Sequence, residues 1–157
     1  MFWQKFWRLH SWWLVTLGLS LGFIFLRLFK IETSLLFFND IGRDFLQLWN
    51  WQQTGKPPLL GPQTSAMPFN QSAVYFYLLL PGYLLTRGSL LATIYTGVGV
   101  HLILLWSGVW WLRQNQPRWL SKFWLIVGLL ILQPEMVTQQ RFVWNPSFIA
   151  GWTMLAL

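Results

Sequence analysis

The sequence predicts an all-α membrane protein with about three to four transmembrane helices and with interfacial helices in a long first outer loop. Of the 157 residues, 55% are hydrophobic and 10% are charged, and the mean hydropathy is +0.44. A soluble domain carries about 25% charged residues, so this chain has too few charges to cover a water-facing surface. The 13 Trp and 13 Phe residues agree with this class, because aromatic side chains collect where hydrocarbon meets lipid headgroups.

The composition also excludes several kinds of site. The net charge is +7, but the Lys and Arg residues stand singly between apolar runs, so no nucleic-acid partner is predicted. The chain has no cysteine, which excludes disulfides and thiolate metal sites. Its two histidines are far apart, and we predict no zinc or other metal site from the residues alone.

Apolar runs predict four transmembrane helices within a single portion, residues 1–157, at about 11–29, 89–112, 119–137 and 146–157. The first contains 16 consecutive uncharged residues and the second belongs to a run of 25, close to the about 20 that a spanning helix needs. His101, in the second run, is interpreted as a neutral, hydrogen-bonded packing residue. The fourth helix is truncated at Leu157 and too short to span, so we expect the N-terminal portion of a longer protein, inactive alone.

The basic residues predict the orientation. Five of them, with no acidic residue, lie in the two short segments before the first span and between the second and third: Lys5, Arg8, Arg113, Arg118 and Lys122. The positive-inside rule therefore places the N-terminus in the cytoplasm and the 30–88 loop outside the plasma membrane.

One apolar segment of that loop, residues 73–86 (AVYFYLLLPGYLLT), leaves two alternatives. Its fourteen residues and its Pro81-Gly82 break favour an interfacial or re-entrant segment. A full span would invert the orientation of everything that follows.

A helix is predicted to begin within the stretch FFNDIGRDFLQLWNW, residues 37–51, and to end at Gly55. Asn39 or Asp40 is a suitable N-cap, and Lys56-Pro57-Pro58 stops the helix. We expect the helix to lie in the membrane interface with its apolar side down, because four apolar residues recur at helical spacing: Ile41, Phe45, Leu48 and Trp49.

This helix carries two of the four acidic residues of the chain, Asp40 and Asp44, on one face. One interpretation is structural: Asp40 caps the helix, and Asp44 favours its positive N-terminal end. The other is functional: a general base beside Arg43, which binds a phosphate. The two interpretations are compatible, since one carboxylate can cap while the other reacts.

Four segments, in the order ND-x-GRD-x-L, LLGPQTS, YFYLLLPGYLL and QQRFVWNPS, resemble the opening third of a family of polytopic membrane glycosyltransferases. These are the GT-C class enzymes related to protein O-mannosyltransferases and lipid A aminoarabinose transferases. The segments are distributed along most of the range from Glu32 to Pro146. The resemblance implies inverting transfer of a sugar from a polyprenyl-phosphate donor to a hydroxyl of a lipid, glycan or protein on the outer face.

The resemblance also assigns roles to residues. Asp40 matches the catalytic first-loop acid, the general base, and Arg43 lies in the same motif as a substrate-binding residue. Some relatives carry Asp-Glu where this chain has Asp40 and Ile41, so a second catalytic carboxylate is either Asp44 or absent here. In the last segment, two further substrate-binding residues are implied, Arg141 and Asn145.

The donor in such a reaction is already activated, which agrees with the lack of a Gly-rich phosphate loop in this chain. No cofactor is predicted, and assistance by a divalent metal stays an open alternative. The competing hypothesis is a non-enzymatic membrane subunit or a transporter fragment, in which the acidic pair only caps a helix.

Overall fold

Helices form most of the chain in the computed structural model, which describes residues 2–34, 39–63 and 69–141, with side chains from Ser11 onward in those ranges. Within them are six α-helices: α1 Phe2–Leu28, α2 Asn39–Thr54, α3 Val74–Leu85, α4 Leu91–Asn115, α5 Leu120–Leu132 and α6 Pro134–Gln140. Two 3₁₀ turns, Ile31–Thr33 and Pro117–Trp119, extend α1 and precede α5. The same ranges contain no strand, only an isolated bridge between Gln63 and Asn70. The all-α class is confirmed.

Two helical segments are long and apolar enough to cross a membrane: Ser11–Thr33, which is α1 with the turn after it, and α4. They correspond to the predicted helices at 11–29 and 89–112. The chain therefore has the character of a membrane protein, with two helices of spanning length in its described part. The predicted helix at 146–157 lies outside the described residues.

The helix predicted at 119–137 is not continuous. The axes of α5 and α6 are bent by 70° at Gln133. Pro134 has no backbone N–H, and it favours an extended conformation for the residue before it, as observed for Gln133 (φ −65°, ψ 120°). With 13 residues, α5 is about 20 Å long and shorter than the about 30 Å of hydrocarbon, so α5 and α6 could cross only as a broken pair.

A chain of polar groups, with Arg27 buried and Gln140 and His101 half-buried, crosses the bundle of α1, α4, α5 and α6. Arg27, which is 1% exposed, donates through Nε to Gln140 Oε1 (2.9 Å) and through Nη1 to the Ile131 carbonyl (2.7 Å). Gln140 Nε2 also contacts His101 Nε2 at 3.2 Å. His101 Nδ1 lies 2.7 Å from the Gly97 carbonyl, and since a carbonyl only accepts, Nδ1 donates and Nε2 accepts. This agrees with the interpretation of His101 as a hydrogen-bonded packing residue.

The α3–α4 hairpin supports α2 and the loop after it. The chain reverses between the two helices at Arg87 and Gly88, which both have positive φ (55° and 83°). The two helices then pack closely at Gly82, where a Cβ would overlap Thr96 Oγ1 and lie 2.7 Å from the Ala92 carbonyl oxygen. At 12 residues, α3 is about 18 Å long, too short to cross a bilayer alone.

Helix α2 ends before Gly55 as predicted, and the two predicted N-cap candidates, Asn39 and Asp40, are its first two residues. Its apolar face is covered by protein. Ile41 (2% exposed) belongs to the core around α1 and α4, and Leu48 (0% exposed) belongs to a second cluster with α3. Trp49 is on another flank and 50% exposed. The expectation that this apolar face points down into lipid is therefore wrong, because α3 and α4 occupy the space beside it.

Candidate functional site

Arg43 joins the two carboxylates of α2. Its Nη1 donates to Asp40 Oδ1 (3.1 Å), while Nε and Nη2 donate to Asp44 Oδ1 (3.1 and 3.0 Å). The spacing explains the Asp40–Arg43 pair, because residues three apart on a helix are neighbours on its surface. Asp44 directly follows Arg43 in the chain, and the Arg43 side chain bends to reach it. Asp40 lies within the first turn of α2 and not before it, so it stands at the positive end of the helix.

The two carboxylates differ in their environments. The Asp40 side chain is 45% exposed, whereas that of Asp44 is 2% exposed. Burial raises the pKa of Asp44 above its ordinary value, and its hydrogen bond and charge interaction with Arg43 oppose that rise. Asp40 is therefore open to an incoming hydroxyl, and Asp44 is held inside the protein.

Tyr75 of α3 completes the buried side of this cluster. It is 8% exposed, and its hydroxyl interacts with the Asp44 carboxylate. Burial raises the pKa of the Tyr75 hydroxyl, and the charge of Asp44 raises it further, so the hydroxyl keeps its hydrogen and can donate it. Tyr75 was not predicted as a site residue. Its signal was its place in YFYLLLPGYLL, but sequence spacing does not show which of the three tyrosines of this segment reaches Asp44.

A pocket of about 380 Å³ opens beside Arg43. It is lined by parts of α2, the loop after it and α3: Arg43, Gln47, Pro58, Leu59, Leu60, Gly61, Pro62, Gln63 and Phe76. Three of the four segments that carry the family resemblance thus meet around one space. Gln47 and Gln63, which were not singled out from the sequence, place amide groups in its wall, where they can donate to and accept from hydroxyl groups.

The loop that forms one wall is held in place by hydrogen bonds. Gly61 N–H donates to the Gln71 carbonyl (3.0 Å), and Gln71 N–H donates to the Pro62 carbonyl (2.9 Å). A side chain at position 61 would overlap the Ser72 carbonyl, so this close pairing requires glycine. The Tyr77 hydroxyl of α3 donates to the Pro58 carbonyl (3.1 Å). These contacts fix the loop against α3.

Arg141, predicted to bind substrate, lies at the end of α1. Its Nη2 donates to the Phe29 carbonyl (2.9 Å) and contacts the Ser34 hydroxyl. Cations stabilise the negative C-terminal end of a helix, so this is a structural role. Arg141 is not among the residues that line the pocket. Asn145, the other predicted residue of that segment, lies outside the described residues.

The cluster has the groups for acid–base chemistry on an anionic substrate: the exposed carboxylate of Asp40, and beside it Arg43. Arg43 lines the pocket, whereas Asp40 is not among its lining residues. Among the residues whose side chains are described, no three His, Asp or Glu residues lie close enough together to hold a metal ion.

No protein-family model, no curated protein and no solved structure matches the chain.

Proposed function

We propose that this chain is a membrane glycosyltransferase component that acts on a sugar carried by polyprenyl phosphate. The observation that supports this most is the pocket beside Arg43, where three segments of the family resemblance meet next to an exposed carboxylate. The sugar passes to an acceptor hydroxyl on a lipid, glycan or protein. In this proposal the enzyme lies in the plasma membrane with its N-terminus in the cytoplasm and the 30–88 loop outside.

Asp40 is the general base. It accepts the proton of the acceptor hydroxyl, whose oxygen forms a bond to the anomeric carbon of the sugar. The bond from that carbon to the phosphate oxygen breaks, and polyprenyl phosphate leaves with the electron pair. A base acts within about 2.6–3.2 Å of the hydroxyl, and the 45% exposure of the Asp40 side chain supports such an approach.

Arg43 binds the phosphate and stabilises the negative charge that it gains as the leaving group. Arginine suits this task because its planar group presents several N–H donors to phosphate oxygens. Asp44 does not touch the substrate in this proposal. It holds Nε and Nη2 of Arg43, while Nη1 bonds to Asp40.

The competing function is a non-enzymatic membrane subunit or a transporter component. One observation favours it: Arg43 bonds to both carboxylates, as expected of an ion-pair cluster that only stabilises the start of a helix. The two functions predict different effects of a neutral side chain at position 40: loss of sugar transfer if Asp40 is the base, and no loss if Asp40 only stabilises the helix.

In the test, the Asp40 substitution is introduced into the chromosomal copy of the gene. Transfer of labelled sugar from polyprenyl phosphate is then measured in isolated membranes. Asp40→Asn keeps the shape and the helix-start preference of the side chain. Because the base is lost, we expect transfer to fall by about 10²–10⁴-fold at unchanged protein abundance. Glu32→Gln, at an exposed carboxylate in the turn after α1, is the matched control and should transfer normally. Normal turnover of Asp40→Asn, with reduced abundance of Asp40→Ala, would assign Asp40 to helix stabilisation and reject the proposal.

A further inference from the structure

The polar chain of Arg27, Gln140 and His101 marks a level along the helix bundle. Arg27 of α1 bonds directly to the Ile131 carbonyl of α5 and is connected to His101 of α4 through Gln140, so these groups lie at one height. From Ser11 to Arg27 the helix rises about 24 Å, and from His101 to Asn115 about 21 Å. The hydrocarbon layer is about 30 Å thick, and a guanidinium is costly at its centre. With Ser11 and Asn115 at the far edge of the hydrocarbon, the level of Arg27 therefore lies about 6–9 Å inside its edge on the side of α2 and α3.

Helix α4 continues beyond this level, and α3 packs along the continuation. From His101 back to Leu91, a distance of ten residue steps, α4 extends about 15 Å past the level of Arg27. Gly82 of α3 lies against Ala92 of α4, and Val100 packs on the cluster of Tyr75, Phe76, Leu79 and Tyr83. The N-terminal end of α3 is thus near the level of Arg27, and its C-terminal end, at Leu85, is farther from the membrane.

The loop carried by that N-terminal end exposes two leucines. Leu59 is 85% exposed and Leu60 is 63% exposed. The loop is fixed by the hydrogen bond from Tyr77 to Pro58 and by the pairing of Gly61 with Gln71. Insertion of a fixed loop costs little ordering entropy, and removal of leucine surface from water is favourable.

We propose that Leu59 and Leu60 insert into the phospholipid leaflet that borders α2 and α3. The bilayer is the partner because a helix of spanning length precedes this loop in the chain, α1, and another follows it, α4. These two helices hold the loop next to the membrane. The pocket that these leucines line with Arg43 then opens at headgroup depth. This inference does not rest on sugar transfer, since it follows from the levels of the helices and the exposure of the loop.

The chain has no cysteine, so single cysteines can report depth without background. Cysteine is placed at Leu59, Leu60, Leu85 or Leu129, and each variant is labelled with the fluorophore NBD. The labelled chains are reconstituted into vesicles of phosphatidylcholine and phosphatidylglycerol, with and without phosphatidylcholine that carries a doxyl quencher near the headgroup end of its acyl chain. The controls match in exposure: Leu85 is 85% exposed like Leu59, and Leu129 of α5 is 63% exposed like Leu60.

We expect NBD at positions 59 and 60 to lose most of its fluorescence to the doxyl lipid, as at the membrane position 129, while position 85 keeps its fluorescence. Quenching at 85 but not at 59 and 60 would show that α3 points its C-terminal end toward the membrane, and this would overturn the proposal. Equal quenching at all four positions would overturn the level assigned to Arg27. Emission that is blue-shifted but not quenched at 59 and 60 would assign the loop to a protein partner or a second copy, against the bilayer.

Discussion

Arg27 donates a 2.7 Å hydrogen bond from Nη1 to the carbonyl oxygen of Ile131, from α1 across to the C-terminal end of α5. The last carbonyls of α5 need outside partners because the helix stops before Pro134. Arg141, which follows α6, in turn donates to the Phe29 carbonyl at the end of α1 (2.9 Å). Two arginines thus stabilise the C-terminal ends of two helices. Arg27 of α1 bonds to the end of α5, and Arg141 after α6 bonds to the end of α1.

Loss of Arg27 should destabilise this arrangement. Arg27→Met preserves much of the apolar stem but leaves the Ile131 carbonyl and Gln140 without their donor. In the described residues no carboxylate pairs with Arg27, so no unpaired buried acid is left behind. We expect the free energy of unfolding to fall by about 1–3 kcal/mol for the unsatisfied buried groups. Unfolding by dodecyl sulfate in mixed micelles, followed by circular dichroism, measures the change.

The control for this prediction is Arg118→Met, at an exposed arginine in the turn before α5. Exposed substitutions typically change stability by less than about 0.5 kcal/mol. If the two variants unfold alike, the hydrogen bonds of Arg27 do not stabilise the bundle.

Asp44 should make stability depend on pH. Burial raises its pKa above the ordinary value of 3.8. The folded chain therefore binds more protons than the unfolded chain in the pH window between that value and the raised one. The contribution of Asp44 to the free energy of unfolding is then largest below that window and falls as pH rises through it. Asp44→Asn should remove this slope.

The measurement is a series of unfolding titrations at increasing pH, and Glu135→Gln is the control. Glu135 is an exposed carboxylate of α6, so its variant should keep the slope of the original chain. A slope that survives in Asp44→Asn would show that another group titrates in this window.

Gly82 should not tolerate a side chain. Its Cβ would overlap Thr96 Oγ1 and lie 2.7 Å from the Ala92 carbonyl oxygen, whereas a Cβ at Gly18 of α1 would meet no atom within 4 Å. We expect Gly82→Ala to lower the free energy of unfolding by about 1–3 kcal/mol through overpacking. Gly18→Ala should raise it slightly, because alanine is the better helix former by about 1 kcal/mol. Equal effects of the two substitutions would argue against close packing of α3 on α4.

The orientation can be read from intact cells. With single cysteines at Gln53 of α2 and at Asn115 of α4, a membrane-impermeant thiol reagent should label position 53 and spare position 115. The reason is the group of basic residues beside Asn115, which favours the cytoplasmic side. Labelling of position 115 alone would show that the chain has the opposite orientation, with the acidic cluster of α2 on the cytoplasmic side.

Much of the framework is local and could be predicted from the sequence. The long uncharged runs determine where α1 and α4 form, because their length and apolarity match a bilayer whatever their neighbours are. The end of α2 is equally local: Gly55 adopts a positive φ of 67°, and the prolines that follow cannot continue a helix. The sequence also places Asp40, Arg43 and Asp44 on one face.

The break at Gln133 also has a local cause, which is Pro134. The apolar pattern nevertheless predicted residues 119–137 as a single span. A proline inside an apolar run can be tolerated in a membrane helix when other groups satisfy the freed carbonyls. Here Arg27, which is 104 residues away in the chain, supplies a donor to Ile131. Only the tertiary structure shows that partner.

The tertiary structure alone also decided which carboxylate is open. Helical spacing treats Asp40 and Asp44 alike, since it sets their relative direction and not what packs against them. Asp44 is buried beside Tyr75 while Asp40 stays exposed, and the pocket beside Arg43 forms where helix α3 and the loop after α2 meet α2. A periodicity within one helix contains no information about such a partner, because contact between elements depends on packing across the whole fold.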